Sequence, residues 1–360
     1  MKKTIKVLIV DDSKVTTQLL RTVLEEEPNI EVVGCAGDGV EAVRLTKQLR
    51  PDLVTMDIFM PNMDGVEATR KIMQHCPTPI IILSSYVSDN ESKIVFNALQ
   101  AGALSIIEKP KRIQGEGFSK IRRQLINSIK TLANVHVVPR KLRQELKPTV
   151  IQVTKTAAIY NILALGTSTG GPTALGSILS ALPENFPLPV VVVQHIADGF
   201  LSGLVSWLQQ KSKLVMEIAQ DNQTLLPGHV YFAGDGAHLV ITKGDRTPVA
   251  TLEGSAPIDY FKPSITVLFS SLAKNYPGTA IGGLLTGMGR DGAEGLLLMK
   301  QANCLTFTQS EATSVVYGMP AAAVSLNATE QILDLEKIPQ FLATIISKGE
   351  YSYDAKNLDC

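Results

Sequence analysis

Five residues in the first third of this 360-residue chain have the types needed to handle a phosphoryl group: Asp11, Asp12, Asp57, Ser84 and Lys109. Carboxylates brought together repel unless a cation joins them, and hard oxygen ligands at a phosphate site suit Mg2+. A carboxylate held in this way beside a lysine and a hydroxyl can accept a phosphoryl group. The metal and the ammonium neutralise charge spread over the transferring oxygens. Asp57 is central and is the expected acceptor, and Ser84 could hydrogen-bond the new phosphoryl oxygens and so report them.

A second set lies further along. Gly166-Thr167-Ser168-Thr169-Gly170 fits G-x-S-x-G. That pattern exposes a serine at a sharp turn with backbone N–H groups nearby for an oxyanion. Its structural rival is a phosphate-binding loop at a helix N-terminus, which uses the same geometry. The segment lacks the lysine of a P-loop and does not fit G-x-G-x-x-G. A nucleophilic serine needs a base, and the base needs an orienting carboxylate. His195 ends one apolar run and Asp291 follows another, inside a glycine-rich turn. Asp198, Asp235 and Asp259 are rivals in ordinary loop contexts, and His229 and His238 lie in turn-rich polar sequence and are expected at the surface. The chain order serine, histidine, aspartate is not the serine, acid, histidine order of a standard α/β-hydrolase.

Both sets must be positioned by strand ends. In the first region, apolar runs at Lys6–Val10, Glu31–Cys35, Leu53–Met56, Ile80–Leu83 and Ser105–Ile107 alternate with helical patterns at Ser13–Glu27, Gly39–Leu49, Gly65–His75, Glu91–Ala101 and Phe118–Leu132. Single helices between strands imply βα crossovers and a parallel, doubly wound, flavodoxin-like sheet. Ligands bind such sheets outside the carboxyl ends of the strands, where the five residues fall. A lone aspartate there is ordinarily a turn former or helix cap; the five together are not. Residues 133–157 lack a period and hold Pro139, Pro148 and the basic residues Arg140, Lys141, Arg143 and Lys147, which reads as a solvated linker. A second α/β pattern starts near residue 158, with strands at Asn161–Leu165, Val190–Val193 and Ala280–Leu285 and Pro172 in a helix first turn.

Lysine plus arginine and aspartate plus glutamate each number 34, so the formal net charge is zero. Without a basic excess, and with an α/β pattern rather than a helix-turn-helix after residue 130, a nucleic-acid partner is not expected. The four cysteines form no CxxC pair, which suggests reduced thiols. The first apolar stretch, Val7–Val10, runs straight into Asp11-Asp12, too short for a signal peptide, and no run is long enough for a membrane helix. A cytoplasmic protein without membrane insertion is expected.

Asp11-Asp12, the run Met56-Asp57-Ile58-Phe59-Met60-Pro61-Asn62-Met63-Asp64-Gly65, Ser84 and Lys109-Pro110 resemble the receiver domain of two-component response regulators. The resemblance implies phosphotransfer from a sensor histidine kinase onto Asp57, with Mg2+ bound by Asp11, Asp12, Asp57 and the Phe59 carbonyl. Many receivers carry an aromatic residue where this chain has Ile106. Gly166 to Gly171, Val193-Gln194-His195, Thr286-Gly287-Met288-Gly289-Arg290-Asp291-Gly292 and Val316-Tyr317-Gly318-Met319-Pro320 resemble the catalytic domain of chemotaxis protein-glutamate methylesterases. That likeness implies a Ser168, His195, Asp291 triad, with backbone around Met288 and the Ser168 loop, Thr169 included, as the oxyanion site. It implies hydrolysis of glutamyl methyl esters on methyl-accepting chemotaxis receptors for sensory adaptation, deamidation of receptor glutamine, and no cofactor for the hydrolytic site. Three departures stand out. Thr167 replaces a common alanine, Ile196-Ala197-Asp198 follows the histidine where methionine and prolines are frequent, and Phe261-Lys262-Pro263-Ser264 stands where His-Arg-Pro-Ser is common.

The resulting expectation is an α/β protein. A receiver domain spans residues 1–125, a linker 126–157, a doubly wound, mainly parallel catalytic domain 158–347 and a polar tail 348–360. Control is expected to be steric, with the unphosphorylated receiver covering the cleft. The alternative is a phosphorylation-controlled, non-enzymatic binding module, against which the intact serine, histidine and aspartate set counts.

Overall fold

The central strands are apolar on both faces, as a parallel sheet covered by helices requires. In the first sheet β1 (Ile5–Val10) leaves only Lys6 exposed, and β3 (Leu53–Asp57) and β4 (Ile80–Ser84) are buried throughout. With β2 (Ile30–Ala36) and β5 (Ser105–Glu108) they form an all-parallel sheet of order β2-β1-β3-β4-β5. The crossovers and final helix are α1 (Lys14–Glu25), α2 (Gly39–Leu49), α3 (Gly65–His75), α4 (Asp89–Ala101) and α5 (Glu116–Leu132). Ser13, Asp38 and Asp64 cap the first three, each accepting a backbone N–H three residues on. This is the expected flavodoxin-like topology.

The computed structural model describes residues 4–85, 89–110, 116–135, 137, 160–258 and 261–348. Contacts divide the chain into two units, Met1–Leu146 with Ile196–Trp207 and Lys147–His195 with Leu208–Cys360. The expected domain boundary at residue 125 falls inside α5. Leu125, Ile126, Ile129 and Leu132 are all buried on that helix, so one apolar face carries it past the boundary to Leu132. The basic linker residues and the tail beyond Lys348 lie outside the described residues.

The second unit has a larger sheet. Its strands are β6 (Ile162–Thr167), β7 (Val190–Gln194), β8 (Val215–Ile218), β10 (His229–Phe232), β13 (Ala280–Leu284), β14 (Leu305–Gln309) and β15 (Gln331–Leu333). They pair in parallel in the order β15-β14-β13-β6-β7-β10-β8. A separate antiparallel sheet holds β9 (Gln223–Thr224), β11 (His238–Lys243) and β12 (Pro248–Glu253). Its helices are α6 (Gly171–Ala181), α8 (Ile265–Asn275), α9 (Ala293–Gln301), α10 (Met319–Ser325) and α11 (Ile338–Lys348), while α7 (Leu201–Gln209) groups through Trp207 with the first unit. Ile162, Val191, Leu268, Phe269, Leu284 and Met299 belong to one buried cluster. Removing such a side chain from water contributes about 1.5–3 kcal/mol. Among the described residues no helix is long and apolar enough to cross a membrane.

Strand order reverses at β6: the chain proceeds outward through β7 and later returns to β13 on the other side, all three strands running parallel. A crevice opens at such a switch point, outside the carboxyl ends of the strands.

Candidate functional site

Three neighbouring strands, β13, β6 and β7, deliver the three predicted hydrolytic residues to that edge. Ser168 follows the last residue of β6, His195 the last of β7, and Asp291 lies in the loop between β13 and α9. β6 runs two residues further than the sequence pattern suggests, through Gly166 and Thr167, because both pair with β7. Ser168 is therefore placed at a strand-to-helix turn, half-buried between β6 and α6. Gly170 takes φ of 82° to reverse the chain, and a Cβ on Gly171 would stand 2.1 Å from Gln194 Oε1. Both positions therefore require glycine.

The turn is tied down from several sides. The Ser168 N–H donates to the Thr286 carbonyl at 3.1 Å, and the Ser168 carbonyl accepts from Gly171 N–H and from Gln194 Nε2 at 2.9 Å. Gln194 Nε2 also donates to the His195 carbonyl at 2.8 Å, so one buried amide joins the serine and histidine backbones. The Thr286 hydroxyl donates to the Thr169 carbonyl at 2.9 Å. A Cβ on Gly287 would stand 2.8 Å from the Ser168 Cβ, so the loop bearing Met288 lies against the serine turn.

His195 Nε2 stands 2.9 Å from Asp291 Oδ2. The approach is bent rather than straight, and neither ring nitrogen has a well-aligned hydrogen bond. The His195 ring lies flat against Phe261, with centroids 4.0 Å apart and planes 3° from parallel. Asp291 is buried, and its carboxylate is gripped at the N-terminus of α8. Oδ1 accepts from the Ser264 hydroxyl at 2.9 Å and from Thr266 N–H at 3.0 Å, and Oδ2 accepts from Ile265 N–H at 2.8 Å. Burial works against its charge. His195 and the α8 amides outweigh that and hold the carboxyl at about 2.

Sequence reading did not assign roles to Ser264, Thr266, Gln194 or Phe261. The available signals were the Phe261–Ser264 run, where the chain departs from the residues common in the family, and Ser264 standing directly before the apolar helical pattern of α8, as an N-cap does. His238 is a correction. It is fully buried rather than at the surface. Its Nδ1 accepts from Ser264 N–H at 3.1 Å and its Nε2 stands 3.1 Å from the Ala256 carbonyl, so it is neutral with its proton on Nε2. Backbone partners substitute for water there, which a polar local sequence cannot reveal. His229 is half-buried, 2.7 Å from Glu217. Asp198 and Asp235 are exposed, and Asp259 lies outside the described residues.

The first unit's five residues also converge. Lys109 Nζ stands 2.8 Å from both Asp11 Oδ2 and Asp57 Oδ2. Carboxylate oxygens of Asp11, Asp12 and Asp57 lie within 4.8 Å of one another, close enough to share one hard cation. Asp57 ends β3 and accepts from Ile58 N–H at 2.7 Å. A Cβ on Gly65 would lie 1.9 Å from the Asp57 carbonyl, so glycine lets the following loop fold back beside the acceptor. Burial pushes the Asp57 carboxyl up, and Lys109 opposes it. Burial would lower Lys109, but Asp11 and Asp57 outweigh it and raise the ammonium. Ser84 ends the neighbouring β4 and is buried, its hydroxyl donating to the Ser85 carbonyl at 3.1 Å. Ile106 is buried in β5.

Residues 163–342, half of the chain, match the CheB methylesterase profile. The chain belongs to the CheB methylesterase family. Residues 7–115 match the response regulator receiver domain, so this CheB family member carries both parts. A protein-glutamate methylesterase/protein-glutamine glutaminase of Syntrophus aciditrophicus (strain SB) is 40% identical over 358 residues, covering 95% of this chain and 98% of its own. One of Anaeromyxobacter dehalogenans (strain 2CP-C) is 43% identical over 338 residues, covering 94% and 96%. The crystal structure of the Thermotoga maritima CheB methylesterase catalytic domain aligns at a TM-score of 0.51 and 33% identity. It covers 52% of this chain and 99% of that one.

Proposed function

We propose that this CheB family chain hydrolyses glutamyl methyl esters, and deamidates glutamine, on methyl-accepting chemotaxis receptors, and that phosphorylation of Asp57 activates it. The observation that carries the reading is the delivery of Ser168, His195 and Asp291 by adjacent strands to one switch point, with His195 2.9 Å from Asp291. The names of the relatives support an enzyme over a non-enzymatic binding module.

In this reading Asp291 keeps the proton of His195 on Nε2, which leaves Nδ1 as the base. Nδ1 takes the Ser168 proton, and Oγ attacks the ester carbonyl. The oxyanion is met by backbone of the Ser168–Thr169 turn and the Met288 loop. The imidazolium returns its proton to the departing oxygen and methanol leaves. Water, deprotonated by the same nitrogen, then frees the glutamate. With a glutamine substrate ammonia leaves instead. No cofactor is needed for these steps.

In the receiver part, a sensor histidine kinase is the expected phosphodonor and Asp57 the acceptor. Asp11, Asp12 and Asp57, with the Phe59 carbonyl, would hold Mg2+, which supplies charge neutralisation for phosphoryl transfer. Lys109 lies where it can neutralise a phosphoryl oxygen, and the Ser84 hydroxyl can turn from the Ser85 carbonyl to bond the new group. The reading includes a cytoplasmic location and no nucleic-acid partner, which the zero formal net charge supports.

The test is methanol release from methylated receptor-containing membranes, with and without acetyl phosphate and Mg2+. Release that rises on phosphorylation supports both parts. No release from a chain with phosphorylated Asp57 would move the second unit to another substrate or to a binding role.

A further inference from the structure

The contact between His195 and Asp291 leaves a degree of freedom. A single bent contact at Nε2 holds one atom of the imidazole, while rotation about the Cβ–Cγ bond sweeps Nδ1 through an arc. The backbone of His195 is fixed, its N–H donating to the Thr167 carbonyl and its carbonyl accepting from Gln194. Neither bond constrains the ring plane. Phe261 does, because its ring lies 4.0 Å from the imidazole and within 3° of parallel.

Phe261 is itself held. Its N–H and carbonyl pair with the carbonyl and N–H of Ile258, at 2.8 and 3.1 Å. Three residues on, Ser264 donates to Asp291 Oδ1 and caps α8. The stretch Phe261–Ser264 therefore touches both the histidine, by its face, and the carboxylate that orients it.

We infer that Phe261 is a positioning residue that fixes the ring plane of His195, so that Nδ1 points at the Ser168 hydroxyl with Nε2 on Asp291. This rests on His195 being the base, as proposed above. A flat partner supplies what a merely apolar one cannot. Leucine would fill similar space but leave the imidazole free to tilt, and small misplacements of a catalytic group are costly in rate. Parallel aromatic pairs contribute about 0.5–1.5 kcal/mol beyond burial, equivalent to roughly two- to twelvefold.

The experiment compares Phe261→Leu and Phe261→Tyr in the full chain, activated with acetyl phosphate and Mg2+. It measures kcat and KM for methanol release from methylated receptor membranes, and the rate at which a fluorophosphonate labels Ser168. The labelling reports the serine–histidine couple without any receptor. Phe261→Leu should lower both kcat and the labelling rate by roughly three- to tenfold with KM within about twofold, and Phe261→Tyr should recover at least half of each. A rise in KM alone would make Phe261 a wall of the substrate cleft and overturn the inference. Equal losses in both variants, or no loss in either, would overturn it as well. His195→Ala run in parallel separates the two levels. If it abolishes labelling while Phe261→Leu is silent, the base assignment stands and the positioning role fails. If it leaves labelling intact, the base assignment itself fails.

Discussion

The two polar sites share a placement, at the carboxyl ends of central parallel strands, but they hold their key carboxylates in opposite ways. Asp57 is buried against another carboxylate and is compensated by one flexible side chain, Lys109, and a single backbone N–H, that of Ile58. The result is a carboxyl pushed up from its ordinary value. Asp291 is equally buried but sits on two backbone N–H groups and a hydroxyl at a helix N-terminus, beside His195, and is held at about 2. This contrast suits the proposed roles: a carboxylate that accepts a group is left electrostatically unsettled, whereas one that stays ionised is fixed by donors built into a helix end.

The contrast can be broken most severely at the proposed nucleophile. Ser168→Ala should reduce methanol release by several orders of magnitude while phosphorylation of Asp57, read by mass spectrometry, is unaffected. Near-normal turnover would sink the serine assignment. Next in size is the lysine. Lys109→Met leaves Asp11 and Asp57 facing each other uncompensated, and should slow phosphorylation of Asp57 by acetyl phosphate on the order of a hundredfold. An unchanged rate would mean that Lys109 is only structural.

The Asp291 side predicts a pH signature. A carboxyl lowered from 3.8 to about 2 contributes roughly 2 kcal/mol of stability. That contribution is fully present above the unfolded value and is lost as pH falls through the folded one, between about 4 and 2. Urea midpoints of the parent should therefore fall more steeply over this window than those of Asp291→Asn, and parallel slopes would contradict the grip described. The smallest effect is expected from Ser264→Ala, which removes one of three α8 donors and the helix cap. It should cost about 1 kcal/mol in urea unfolding. Because the two backbone donors remain, activity should fall far less than with Ser168→Ala. Loss of activity as complete as that of Ser168→Ala would show that the hydroxyl, and not the amides, holds Asp291.

Much of this was legible in the residues. Each strand of the first sheet lies within two residues of its apolar run, because a strand buried on both faces leaves an uninterrupted signature. The strand-end positions of Asp57, Ser168 and His195 were legible because each adjoins such a run. The last helix of the first unit was legible to its end at Leu132, because one amphipathic face runs the whole length of α5 past the expected boundary at residue 125. The antiparallel sheet of β9, β11 and β12 has no strong run to announce it. His238 was misplaced because local polarity says nothing about partners brought from Ala256 and Ser264.

Local periodicity and residue type were enough to read the two α/β patterns, the five polar residues at the edge of the first sheet and the serine, histidine and aspartate at the edge of the second. How these groups are held emerges from the folded chain alone. That Asp291 sits on the α8 amides, that Gln194 joins the Ser168 and His195 backbones, and that Phe261 lies flat on the imidazole all depend on contacts between segments tens of residues apart. Such contacts are fixed by packing, for which no local pattern exists.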